Sequence, residues 1–92
     1  MAFMLTRIQV DNYDAWKPIF DADPPGARKA ATGHRILRSL EAPNEVFVQV
    51  EFDSSDDATA ARERLLASGV LERVTVKAGP TVVEEAETVD YR

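Results

Sequence analysis

Apolar and polar positions alternate along "FMLTRIQV" (Phe3 to Val10), with Met4, Thr6, Ile8 and Val10 in one phase and Phe3, Leu5, Arg7 and Gln9 in the other. A period of two is the mark of a strand with one face turned to a core. The same alternation is clearest in "EVFVQVEF", where Val46, Val48, Val50 and Phe52 share one face and Phe47, Gln49 and Glu51 share the other. "HRILRSL" predicts a third strand, joined to "EVFVQVEF" through "EAPN", a hairpin connection of ordinary length and turn chemistry. The pattern changes to helical spacing at Tyr13, Trp16 and Phe20, after Asp11 or Asn12 as N-cap and with Asp14 in the first turn. Pro18 removes the amide that would bond to Asp14, so a kink or break is expected there.

The later elements follow from their end signals. Pro24 or Pro25 can open a short helical piece over Ala27 to Thr32, with Gly33 just past its end. "SSDDATAARERLLASG" reads as a helix, with Ser54 and Asp57 spaced as in a capping box and Gly69 closing it. "VLERVTVKAG" fits a helix through Leu71, Val74 and Ala78 and a strand through "VTV"; Glu72 early, Lys77 late and Gly79 after favour a short helix. Pro80 is then expected to start the last strand, "PTVVEEAETVDY". The order is βαββαβ. It predicts an α+β, ferredoxin-like fold: a four-stranded antiparallel sheet with both helices on one face, in one domain spanning residues 1–92.

That arrangement leaves a second sheet face carrying Phe3, Leu5 and Phe47 beside Arg7, Gln9, Gln49 and Glu51. It is too apolar for open water and too polar for a dry core, and a second copy of the chain is the economical cover. A chain of 92 residues has a limited core, so burial by a partner would help it.

Composition narrows the chemistry. The net charge of -5 and pI near 4.7 oppose a nucleic-acid or anionic-membrane partner. The sequence has no cysteine, which removes disulfides, thiolate nucleophiles and thiolate metal ligands. No apolar run is long enough to span a bilayer and Arg7 interrupts the N-terminal one, so a cytosolic protein is expected. One histidine without a cluster of acids makes a zinc site improbable, and no cofactor is expected. The acidic runs "DSSDD" and "EEAE" read most simply as a helix start and a solvated edge strand.

The candidates that remain are few. Tyr13, Trp16 and Phe20 are either plain core packing or the wall of a pocket beneath a helix that Pro18 keeps from lying flat. His34, the one side chain titrating near neutrality, begins a hairpin strand in phase with Ile36, Arg38 and Leu40. It is either structural or a proton acceptor, with Arg38 as the stabiliser of an oxyanion.

"VDNYDAWKPIFDAD", "GHRILRS", "PNEVFVQVEFDS" and the strand after "KAGP" together resemble small bacterial proteins of the dimeric α+β-barrel superfamily. That superfamily includes antibiotic-biosynthesis monooxygenases and polyketide cyclases. The resemblance covers nearly the whole chain and rests most on "NYDAWKPIFD" and "GHR". It implies a homodimer whose sheets close into a barrel, with a pocket between sheet and helices in each protomer. It also implies cofactor-free chemistry on an aromatic or polyketide-like molecule, with Tyr13, Trp16 and Phe20 holding the rings and His34 and Arg38 acting on them. The other class of function is a non-catalytic ligand-binding or structural dimer. A pocket joining His34 and Arg38 to Trp16 would favour the enzyme, and a surface His34 the module.

Overall fold

A computed structural model describes residues 1–23 and 26–91. Its elements run β1 (Ala2–Gln9), α1 (Tyr13–Ala22), β2 (Ala31–Arg38), β3 (Glu45–Phe52), α2 (Ser55–Ser68), a 3₁₀ turn (Val70–Arg73) and β4 (Thr75–Glu84). The four strands form one antiparallel sheet in the order β2-β3-β1-β4. This is the ferredoxin-like arrangement that the alternation of periods predicts. No helix among the described residues is long and apolar enough to cross a membrane.

The strand phases come out as the sequence suggests. Val46, Val50 and Phe52 are essentially inaccessible, and Met4, Ile8 and Val48 join them on the face that carries the helices. Register makes the two sets coincide: Met4 lies opposite Val50, Thr6 opposite Val48 and Ile8 opposite Val46. Helix α2 packs on this face through Ala58 and Ala61, both buried, over β1, β3 and β4. Ser54 caps it, accepting a 3.1 Å bond from the Asp57 amide, and Gly69 ends it in the left-handed conformation.

Four local expectations are corrected. The stretch 27–30 is only a turn, and Ala31 already begins β2, so Gly33 lies inside a strand rather than after a helix. Pairing of residues 31–38 with β3 outweighs the local helix preference of "ARKAAT", which has no second turn to propagate into. The expected role of Pro24 and Pro25 as openers of that piece lies outside the described residues. Leu40, read in phase with His34, falls after β2 ends and is 99% exposed.

The ambiguous "VLERVTVKAG" divides into the 3₁₀ turn and the first half of β4, so the last strand begins at Thr75 and not at Pro80. It ends at Glu84, leaving 85–91 irregular. The ladder with β1 claims Thr75 to Ala78, and a bulge then sets Gly79 and Pro80 against Thr6. Pro80 is tolerated because β4 is an edge strand and the bulge interrupts the ladder. Its carbonyl accepts a 2.7 Å bond from Arg62 Nε of α2, which ties the bulge to the helix.

Gly79 is required there twice over. Its φ is +81°, and a Cβ at this position would stand 2.3 Å from the Leu5 carbonyl oxygen. Gly79→Ala is therefore expected to destabilise the fold by about 2 kcal/mol, read as a lower urea midpoint. An unchanged midpoint would mean the bulge relaxes freely.

Candidate functional site

The two helices meet the sheet through side chains of different size, and a cavity results. Alanines let α2 approach the strands closely. No residue of α1 is buried; it rests on Tyr13, Trp16 and Phe20, each partly buried against the core. Ring-sized side chains hold a helix farther from a sheet than methyl groups do. Between α1 and α2 the sheet is left partly uncovered, and an apolar cavity of about 260 Å³ opens there. Small-molecule sites span about 300–1,000 Å³, so this cavity suits a compact ligand.

Its floor is the helix-side face of the two central strands, with Met4, Thr6, Ile8, Val48 and Val50. Its roof is α1, through Ala15, Trp16, Ile19 and Phe20. Leu65 of α2 with Val70, Leu71 and Val74 completes the far wall. Polar groups are sparse: the Thr6 hydroxyl on the floor, and Asp11, Asn12, Asp23, Arg28 and Arg73 at the margins.

Helix α1 is held over this space at both ends. At its start Asn12 accepts a 3.0 Å bond from the Ala15 amide. Asn44, in the β2–β3 connection, accepts from the Tyr13 amide at 3.2 Å and donates to the Asp11 carbonyl at 3.1 Å. Its own carbonyl accepts from the Val10 amide at 2.9 Å, so one hairpin residue fixes the whole β1–α1 turn. At the other end Asp23 leaves the helix with φ +47° and accepts from the amides of Ala27 and Arg28. The Arg28 guanidinium lies 3.8 Å over the Phe20 ring and donates to the Phe20 carbonyl. A cation on the last carbonyls of a helix opposes its negative end.

The helix runs unbroken through Pro18, so of the expected kink or break the break does not occur. The proline still deletes the bond to the Asp14 carbonyl. Tilted ring contacts run along the same helix: Tyr13 and Trp16 have ring centroids 5.8 Å apart, and Trp16 and Phe20 5.0 Å.

The five residues singled out in the sequence gather around that row but do not share the cavity. Trp16 and Phe20 line it. Tyr13 continues the row away from it and carries the Arg38 guanidinium 4.0 Å over its ring. His34 and Arg38 do project from the helix-side face of β2, since they lie opposite Val50 and Val46. His34 meets the edge of Phe20 at 5.1 Å and is exposed, the placement named above for a non-catalytic module. Arg38 donates through Nε to the Pro43 carbonyl at 2.9 Å and is committed to the hairpin. Four residues apart on a strand, the two are separated by about 13 Å along the backbone. They contact opposite ends of the aromatic row and do not converge on one reacting atom.

Three contributors were not singled out. Thr6 had a visible signal, a hydroxyl in the apolar phase of the first strand. Asn44 looked like any turn residue, and Arg73 like any surface charge. Among the described residues no three His, Asp or Glu side chains gather as a metal site requires. The chain matches no known family model, no curated protein and no solved structure.

Replacing Pro18 with alanine returns an amide to the Asp14 carbonyl and removes a ring from the helix interior. Pro18→Ala is expected to stabilise the protein by about 1–3 kcal/mol by chemical denaturation. A loss of stability would show that the proline is itself packed to advantage.

Proposed function

We propose that this chain is a small-molecule-binding protein that takes a compact, apolar, ring-bearing ligand between its sheet and helix α1. The observation that carries the reading is the cavity itself. In a chain of 92 residues, where every buried methyl group matters to stability, an apolar space roofed by Trp16 and Phe20 is a costly feature to leave unfilled. Aromatic walls with few polar groups match how proteins hold small hydrophobic molecules.

Oxidation or cyclisation of a polyketide-like substrate, which the resemblance to dimeric α+β-barrel enzymes implies, would need a proton acceptor at the ligand. His34 and Arg38 stand on the far side of the aromatic row, so binding has more support than catalysis by this pair. Titration of the protein with 2-naphthol, followed by quenching of the single tryptophan, Trp16, tests the reading. Ala15→Phe, which adds a ring at an exposed roof position, is expected to weaken binding at least about tenfold, whereas His34→Gln leaves it unchanged. Quenching that Ala15→Phe does not alter would place the ligand elsewhere and sink the proposal.

The second part of the reading is a homodimer joined through the open sheet face. Leu5, Leu37 and Phe47 are 39%, 52% and 38% exposed there, beside partly buried Phe3 and Val83. Arg7 lies 5.5 Å over the Phe47 ring and pairs with Glu45, giving the apolar patch a charged border. An apolar centre with a polar rim is how protein interfaces are built, and a face of this kind suits a twofold partner. Phe47→Glu is expected to convert the dimer to a monomer by light scattering at micromolar concentration. Wild-type protein that is already monomeric there would remove this part of the proposal and leave the ligand reading standing.

A further inference from the structure

Thr6 is the one polar side chain in the buried floor of the cavity. It is 9% exposed and sits between Met4 and Ile8 on β1, opposite Val48, with apolar side chains on each side. A threonine there is no better as a strand former than the valines of β3 and introduces a hydroxyl that needs a partner. Among the described residues the hydroxyl has none: no hydrogen bond engages Thr6 Oγ1. The oxygen is not sealed off either, because among the described residues no inaccessible side-chain oxygen or nitrogen is left unbonded. On β1 it shares the phase of Met4 and Ile8, the face turned to the cavity, where Thr6 forms part of the lining. An unbonded hydroxyl set in an apolar floor beside a ligand-sized space is an arrangement that selects a ligand by one hydrogen bond.

The margin of the cavity limits the ligand's charge. Four charged side chains line it, and two are already engaged: Asp23 with Arg28 at 3.7 Å, and Arg28 also with the Phe20 carbonyl. The other two, Arg73 and Asp11, have no side-chain partner among the described residues. Both lie at one end of the sheet, flanking the Gln9–Thr75 pair that closes the β1–β4 ladder. A group emerging there meets a cation and a carboxylate together. Neither an acid nor an amine is favoured by that pairing.

Building on the reading of the cavity as a site for a compact apolar molecule, we infer that its ligand is neutral and carries one oxygen function, a ketone or a phenol, that hydrogen-bonds Thr6 Oγ1. A hydroxyl both donates and accepts, so either function satisfies it. Thr6 is then the residue that determines specificity, and the aromatic roof supplies bulk affinity without discrimination.

The test compares 1-indanone with indane, which has the same ring body without the oxygen, by Trp16 emission and by methyl NMR of Ile8 and Val48. In the wild-type protein 1-indanone is expected to bind more tightly than indane. Thr6→Val, the same shape without the hydroxyl, is expected to weaken 1-indanone about tenfold, leave indane unchanged or tighter, and raise Tm. Thr6→Ser should keep the preference, and Thr6→Ala serves as a second hydroxyl-free variant if Thr6→Val does not fold. An indanone-to-indane ratio that is the same in wild type and in the hydroxyl-free variant overturns the role of Thr6 while leaving the cavity reading intact. Tighter binding of indane-2-carboxylate than of 1-indanone, lost in Arg73→Ala, overturns the neutral ligand. If neither indane nor 1-indanone moves Trp16 or the methyl signals, the cavity reading fails, and this inference with it.

Discussion

The distance at which α1 stands from the sheet is set by the size of the side chains beneath it. Tyr13, Trp16 and Phe20 interpose rings where α2 interposes the methyl groups of Ala58 and Ala61. Two helices on one four-stranded face, docked at different heights, cannot close over the central strands. The cavity is the consequence, and the anchoring at each end of α1 is what keeps it from collapsing. Asn44 holds the entry of the helix and Arg28 its exit. An aromatic row with a guanidinium over each terminal ring, Arg38 on Tyr13 and Arg28 on Phe20, resists the tilt that would let α1 settle on the sheet.

That geometry separates roles that the linear sequence allows to coincide. A row of rings along a helix has two flanks. One flank of this row faces the cavity over β1 and β3, and the other faces the edge strand β2 with His34 and Arg38. Arg38 is engaged by an aromatic face and a backbone carbonyl, and the imidazole of His34 is open to water. Their chemistry is available at the surface of the row, whereas the cavity is lined by Thr6. For a small acidic chain with one histidine, this separation supports the proposed recognition of a hydrophobic molecule rather than acid–base work on it.

The bulge of β4 serves the same architecture from the other edge. Gly79 can approach the Leu5 carbonyl only because it has no Cβ, and Arg62 reaches from α2 to the Pro80 carbonyl behind it. The edge strand is thereby fastened to the helix that docks closely, and the open side of the sheet keeps its mixed apolar and charged surface. The two faces of the sheet thus differ in kind, with a cavity under the helices and a mixed apolar and charged surface on the other side, and the proposed ligand and the proposed second copy are assigned to these two faces.

The sequence by itself determined the fold class, the strand faces and most helix ends. These depend on local rules: a period of two in β1 and β3, an amide-accepting oxygen at Asn12 and Ser54, a glycine able to turn left-handed at Gly69. It also put Tyr13, Trp16 and Phe20 on one helix face, which left plain core packing and a pocket wall both open; packing decided that Trp16 and Phe20 line the cavity and Tyr13 does not. Tertiary structure decided what local rules cannot. Pairing with β3 drew Ala31 and Thr32 at the end of "ARKAAT" into β2, and pairing with β1 drew Thr75 to Ala78 into β4, since ladder bonds come from residues far away in the chain. Which flank of the aromatic row met His34 and Arg38, and which met Thr6, depended on how the helix sat across the strands. A residue's periodicity tells which face it occupies, but only packing tells what stands opposite it.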